Sequence, residues 1–293
     1  MKIVIGVPAF NEEKNIARII IKLKKFSNDI IVCDDGSTDE TALIAKSLGA
    51  IVVSHEKNQG YGAGIRTIFL KAREINADVL ITFDADGQHR VEDITKVLEP
   101  IKNNEADVVI GSRFLDEKSK IPKYRKVGIK TITSLTNSSI GQKLSDSQSG
   151  FRAYEKKVLQ DISPSENGMG VSTEILIKAS KNKFRISEVP IIISYEGKTS
   201  THNPVSHGAS VIISTIKFTS IENPLKFYGI PGIFFIGLGL SFIFWAIHLF
   251  SETGRVFTNI SLIGVTGVVI GIVLLVTATI LFSIISVVRE KIK

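Results

Sequence analysis

The chain has a single cysteine, Cys33, among its 293 residues, so neither a disulfide within the chain nor a cysteine-built zinc centre is open to it. Cys33 lies in an apolar run before Asp34 and reads as a small core residue. Long runs of one charge sign are also missing. The 36 Lys and Arg outnumber the 29 Asp and Glu, but they neither cluster nor alternate with aromatics. The net charge of +7 therefore points to anionic lipid or a phosphorylated substrate, not to nucleic acid. Internal repeats and low-complexity tracts are absent. The opening "MKIVIGVP" has no signal-peptide core or small-residue cleavage site and reads as a first strand, which predicts a catalytic part on the cytosolic side.

Charge is missing altogether from two stretches near the C-terminus, Phe227 to Ser251 and Val256 to Val288. This explains how a basic chain has a mean hydropathy of +0.21. Each stretch is long enough to span a bilayer and rich in Gly, as expected where helices approach closely in lipid. The alternative, a buried soluble helix pair, fits poorly with such uncharged length. Trp245 and His248 read as interfacial. Lys217 and Lys226 precede the first stretch, Arg289, Lys291 and Lys293 follow the second, and the linker "ETGR" balances its charges. Positive flanks favour the cytosol, so the expectation is an integral membrane protein with two spans, catalytic domain and both termini cytosolic. The expected domains are 1–200, catalytic; 201–226, juxtamembrane and interfacial, with a helix from Pro204 to Pro224; and 227–293, a two-helix anchor.

Before the anchor, apolar strands alternate with helical periodicity. Strands are predicted at "KIVIGVP", "DIIVCDD", "AIVVS", "ADVLITF" and "ADVVIGS". Helices are predicted after Asn11, taken as a cap, with Ile16, Ile19, Ile20 and Leu23 at helical spacing; over 40–48; over 62–75; and through Val97. The second half predicts helices over 123–140 and 172–183 and short strands at "FRAY", "RISEVP" and "IIISYE". The pattern is α/β, a mostly parallel sheet with helices on both faces, whose ligands bind outside the carboxyl ends of the strands.

At those ends stand "PAFNEE", "DDGSTD", "DADGQH" and "GSR". Asp84 and Asp86 repel each other unless a cation joins them. Hard carboxylate oxygens suit Mg²⁺ or Mn²⁺, ions that keep positions open for substrate phosphates. Gln88 adds a carbonyl oxygen, with His89 as a neighbour. Helix capping explains one of these acids but not both. Asp34 or Asp35 is placed to accept hydrogen bonds from a base or ribose, whereas Asp39 reads as a helix cap. "NQGYGAGIR" is either a loop touching ligand or a flexible helix start, and it is not a dinucleotide fingerprint. Arg113, Arg125 and Arg152 are candidates for phosphate. A solvated surface role is the simpler reading of Arg125.

Taken in order, "PAFNEE", "DDGSTD", "NQGYGAG", "DADGQH", "GSRF" and "SDSQSGFR" resemble glycosyltransferase family 2, and within it the dolichyl- or polyprenyl-phosphate sugar synthases. The resemblance covers about the first two hundred residues and implies the GT-A (Rossmann-like) fold. It implies an inverting, metal-dependent transfer of one sugar from a nucleoside-diphosphate sugar to a polyprenyl (dolichyl) phosphate at the membrane. It places Pro8, Phe10 and Glu12 against the nucleoside, Asp35 near the base, Asp84, Ala85 and Gln148 around the nucleotide sugar, and Asp86 with Gln88 on the metal. Arg113, with Arg125 and Lys198, is implied for the acceptor phosphate, and Asp146 as catalytic base. The chain departs from the pattern in "YEGKTSTHNP", where only Lys198 and His202 stand where phosphate-binding cations are found, and in Ile129, where serine is often found. The processive "QxxRW" signature is missing. Two other readings remain: transfer to a lipid or glycan hydroxyl, which needs a base, and a non-catalytic membrane partner protein. The sequence chooses neither the donor nucleotide nor the oligomeric state, and a homo-oligomer is compatible with it.

Overall fold

The computed structural model describes residues 1–116, 121–193, 220 and 223–292. The chain forms two compact units, Met1–Thr215 and Ile216–Lys293. The first runs β1 (Ile3–Ala9), α1 (Glu13–Leu23), β2 (Asp29–Asp34), α2 (Thr41–Ser47), β3 (Ile51–Ser54), α3 (Tyr61–Glu74), β4 (Val79–Thr82), α4 (Ile94–Lys102), β5 (Val108–Ser112), α5 (Lys123–Ile140), β6 (Arg152–Glu155), α6 (Lys156–Asp161), α7 (Val171–Lys181) and β7 (Ile186–Pro190). The strands form one seven-stranded sheet in the order β3-β2-β1-β4-β6-β5-β7. All neighbours are parallel except β6, which runs antiparallel to both β4 and β5. This is the mostly parallel α/β architecture expected of the alternating pattern.

Packing follows from periodicity. On α1, Ile16, Ile19, Ile20 and Leu23 share one stripe and are buried, joining Ile5, Val7, Ile81, Phe83, Val97 and Phe151 in the core. Two local expectations are corrected. Asn11 does not cap α1, since the N-cap is Glu12. Instead Asn11 takes a left-handed φ of 56°, which turns its Oδ1 to accept the Thr38 N–H at 2.9 Å. The last expected strand reduces, over 191–193, to one bridge between Ile193 and His89; its remainder, 194–196, lies outside the described residues, as does most of the expected interfacial helix.

The sheet order puts the switch point between β1 and β4. β1 continues along β2 to the pair Ala9–Asp34 but stays with β4 only to Gly6–Thr82. The strands then part, and it is at such a switch point, outside the carboxyl ends of the strands, that open α/β sheets have their ligand cleft. Pro8 needs no ladder partner on the β4 side, which is why a proline is tolerated in a central strand. Because β6 is reversed, its amino end, and the loop leading into it, lie at the same sheet edge as the carboxyl ends of β4 and β5.

The opposite edge is tied by Asp107, which is 3% exposed. Its carboxylate accepts the Arg185 N–H at 2.7 Å and Arg185 Nη2–H at 2.7 Å, and pairs with Lys157 Nζ at 2.8 Å. Burial works against its charge, but Arg185 and Lys157 outweigh it and hold the carboxyl well below the usual range. The stabilisation is complete above the unfolded carboxylate range near pH 4 and is lost as pH falls through the lower folded value. Asp107→Ala is expected to cost about 2 kcal/mol, read as an earlier urea midpoint at pH 7 and a difference that shrinks in acid.

The second unit holds a π-helical turn, Leu225–Gly229, then α8 (Ile230–Thr253) and α9 (Thr258–Ile292). Leu225–Thr253 and Thr258–Val287 are long and apolar enough to cross a membrane, with hydropathies of 2.2 and 2.9. Only 11% of each apolar window is buried, the reverse of a soluble core helix. Ile233, Phe234, Phe244, Leu262 and Val273 all face outward. Gly232, Gly239 and Ala246 on α8 and Gly264, Gly271 and Ala278 on α9 are buried at heptad spacing, so small residues form the seam. A Cβ on Gly239 would stand 2.6 Å from Val268 N and 2.7 Å from Gly264 O; a larger residue there forces the helices apart.

Candidate active site

The buried run Val79–Phe83 delivers Asp84, Ala85 and Asp86 to the cleft. Asp84 Oδ1 accepts the Tyr61 hydroxyl at 3.1 Å, and His89 Nε2 lies 3.1 Å from Oδ2. The His89 ring packs edge-on against Phe83 and tilted against Phe151. Burial opposes the charge on Asp84, but the His89 and Tyr61 hydrogen bonds and the Arg113 charge outweigh it, so its carboxyl is lowered. Tyr61, partly buried, is raised well above an ordinary phenol by burial and by Asp84.

Asp86 is shifted the other way. Burial and the neighbouring Asp84 charge raise it, with partial relief from the Gln88 N–H, His89 and Arg125. The Gln88 N–H donates to Asp86 Oδ1 at 3.0 Å. Glu12, entering from β1, is raised as well, by burial first and by Asp86 and Asp39 next, while the Asn15 amide at 2.8 Å lowers it. Acids thus crowd around Asp86 with too little positive charge. Asp86 and Gln88 supply the hard oxygens that Mg²⁺ or Mn²⁺ prefers, and the excess negative charge there is what a divalent cation relieves, so the residues fit one. Among the described residues no three His, Cys, Asp or Glu cluster as a complete metal cage.

Across the cleft, β5 ends at Ser112 and Arg113 follows it. Its Nε–H donates to Asp146 Oδ2 at 2.6 Å, Nη2–H to Oδ1 at 2.7 Å, and its backbone N–H to Oδ2 at 3.1 Å. Asp146 is completely buried and also accepts the Gln148 N–H at 3.2 Å. Burial alone would raise it, but Arg113 more than compensates, and the carboxyl is lowered. The loop carrying it is fixed by Glu188 on β7, which accepts the Ser145 and Asp146 N–H groups at 2.7 and 2.8 Å. Arg152, 1% exposed, is not a phosphate ligand: its guanidinium donates to the carbonyls of Ser147, Ser149 and Ser172. Gln148 turns its amide to Thr173 Oγ1 and the Ser147 oxygens.

At the end of β2, Asp35 is 5% exposed and its N–H donates to Ala9 O at 2.9 Å. That places it beside Phe10, which is 36% exposed. Asp34 accepts the Ser37 N–H at 3.3 Å, and Asp39 accepts the Thr41 N–H at 3.0 Å, although the N-cap of α2 is Glu40 and not the expected Asp39. Burial, with the charges of Asp35 and Asp34, pushes the Cys33 thiol up to about 12, so it is an inert core group. "NQGYGAGIR" proves to be a packing device: a Cβ on Gly62 would stand 2.1 Å from Glu166 O, which only glycine avoids. Lys198 and His202 lie outside the described residues. The sequence reading missed Tyr61, His55 and Glu188. Its place just after the third strand could have flagged His55, but nothing local could have flagged Glu188.

The family model for Glycosyl transferase family 2 matches residues 4–163. A UDP-N-acetylglucosamine–dolichyl-phosphate N-acetylglucosaminyltransferase of Methanococcus voltae is 38% identical over 229 residues, 71% of this chain and 89% of the relative. A dolichyl-phosphate hexose transferase of Haloferax volcanii is 31% identical over 210 residues, 71% of this chain and 90% of the relative. The fold resembles that of glucosyl-3-phosphoglycerate synthase from Mycobacterium tuberculosis in complex with Mn²⁺, UDP-glucose and phosphoglyceric acid. That match has a TM-score of 0.58 at 19% identity and covers 75% of this chain and 80% of that one.

Proposed function

The chain belongs to glycosyltransferase family 2, and from that premise we propose that it moves one sugar from a nucleoside-diphosphate sugar to a polyprenyl (dolichyl) phosphate, with inversion, using Mg²⁺ or Mn²⁺ at the cytosolic face of a membrane. The observation that carries this reading is the meeting, at one sheet edge, of an acidic pair and an arginine fixed by an ion pair. Asp84 and Asp86 stand at the end of β4, and Arg113, locked by Asp146, stands at the end of β5. The relatives named for dolichyl phosphate support the acceptor class.

Asp86 and Gln88 would hold the cation, while Asp84 stays anionic between Tyr61 and His89 and faces the donor. When bound, the cation offsets the charge that builds on the departing diphosphate. Pro8, Phe10 and Glu12 line the nucleoside side of the cleft. The acceptor is a phosphate oxygen, already anionic near neutral pH, so no residue needs to remove a proton from it. Arg113 and Arg125 counter the repulsion between two anionic substrates. Asp146 fixes the Arg113 guanidinium in place. In-line attack by the acceptor oxygen opposite the leaving diphosphate turns an α-linked donor into a β-linked product.

The apolar helices keep the enzyme where the acceptor's tail lies and so raise its effective concentration. Lys226 before the first apolar stretch and Arg289, Lys291 and Lys293 after the second favour the cytosol for both termini. The test is the purified full chain with Mg²⁺, a panel of sugar nucleotides and dolichyl or undecaprenyl phosphate. One β-linked monosaccharide phospholipid is expected, absent in EDTA. No glycolipid from any donor would overturn the proposal.

A further inference from the structure

Two glycine-bearing motifs, "NQGYGAGIR" and "SGFR", meet at one side chain. Tyr61 opens α3, and its hydroxyl donates to Asp84 Oδ1 at 3.1 Å. Its backbone is held from both sides. The Gly62 N–H donates to Asn167 O at 2.8 Å, and a Cβ on Gly60 would stand 2.5 Å from that same oxygen. The segment that supplies this carbonyl is fixed in turn by Glu174. The Glu174 side chain is fully buried and accepts the Ser165 and Glu166 N–H groups, each at 2.9 Å.

The loop over 145–151 closes on the same hydroxyl. A Cβ on Gly150 would meet Tyr61 Oη and stand 2.8 and 2.9 Å from the two oxygens of Asp84, well inside ordinary contact distance. The φ of Gly150 is not left-handed, so space and not backbone conformation calls for glycine here. The loop itself is pinned. Thr82 Oγ1–H donates to Gly150 O at 2.6 Å, and Arg152 donates to Ser149 O at 2.8 Å and to Ser147 O at 2.7 Å. This is also the loop that carries Asp146 and, through it, holds Arg113.

Resting on the transferase reading above, we infer that Tyr61 is a positioning residue of the donor side: seated in the space that Gly150 leaves, its hydroxyl fixes the Asp84 carboxylate toward the sugar nucleotide. A carboxylate held at one oxygen can still turn. With Tyr61 on Oδ1 and His89 on Oδ2, both oxygens are tethered, and each keeps acceptor capacity for a ligand. Burial and Asp84 keep the Tyr61 phenol protonated, so it remains a hydrogen-bond donor.

Steady-state kinetics of the full chain test the inference, with Mg²⁺ and with the lipid phosphate and sugar nucleotide that the unaltered chain uses from the panel above. Tyr61→Phe keeps the ring and removes the bond. KM for the donor is expected to rise about tenfold or more. The donor contact is lost before and during transfer alike, so kcat and KM for the lipid phosphate should stay within about twofold. A purely structural tyrosine would lower kcat with the folded fraction and leave the donor KM unchanged, and that result overturns the inference. Gly150→Ala presses on the ends of two side chains, so the fold is expected to survive and the donor KM to rise as in Tyr61→Phe. The double variant should be no worse than Gly150→Ala alone, because the hydroxyl that the methyl displaces is already gone. Effects that multiply, or a raised KM for the lipid phosphate in place of the donor, would show that the loop yields instead, and sink the idea. If the unaltered chain makes no glycolipid from any donor, the transferase reading falls and takes this inference with it.

Discussion

Asp86→Asn is expected to lower sugar transfer by a factor on the order of 10³ while leaving the folded chain as stable as before, or more so. The two halves of this result have one cause. Asp86 is half-buried near Asp84 and raised by both desolvation and that charge, so without a cation it is a repulsive element in the fold. Removing its charge relieves the repulsion and removes the carboxylate that the cation needs. A residue kept for packing would behave oppositely, losing stability first. Activity with saturating Mg²⁺ and a thermal scan of the same detergent-solubilised protein separate the cases. The expectation is almost no glycolipid and a melting temperature unchanged or higher by a few degrees. A melting temperature well below that of the parent, with activity surviving in proportion, would show that Asp86 is structural.

Much of this site was legible along the chain because its parts are local. A buried strand that stops at paired acids announces itself from Val79 to Asp86, and the alternation of strands and helices orders the polar clusters along one sheet edge. What was not legible depends on strand direction and on partners far apart in sequence. "FRAY" reads the same whichever way β6 runs. Only its antiparallel insertion between β4 and β5 brings Asp146 to Arg113. Glu188 looks like a surface residue of an alternating strand, yet it fixes the Asp146 loop. The glycines of "NQGYGAG" left a ligand loop and a flexible helix start both open, because glycine marks any close approach. The approaching group is the chain itself, at Glu166 and Asn167. Arg152 read as a phosphate ligand by residue type, and burial among carbonyls decides otherwise.

Asp146→Asn is the second large effect, and its form discriminates between a base and a holding group. A base must have room for a proton and an affinity for it matched to the task. Asp146 has neither: its oxygens take three bonds from Arg113 and one from Gln148, and Arg113 keeps its carboxyl low. If it holds Arg113, Asp146→Asn and Arg113→Ala break the same interaction. Each should reduce kcat/KM for the lipid phosphate by about 10²–10³, with donor binding little changed. The double variant should be no worse than the poorer single, since the effects of a coupled pair do not add. A base would make Asp146→Asn far more damaging than Arg113→Ala, and the double variant close to the product of the two. Stability should split the pair the other way. Arg113 keeps 14% of its side chain exposed while Asp146 has none, so a stranded Arg113 can reach water and a stranded Asp146 cannot. Arg113→Ala is therefore expected to cost about 3–5 kcal/mol and Asp146→Asn clearly less, as denaturant midpoints would show.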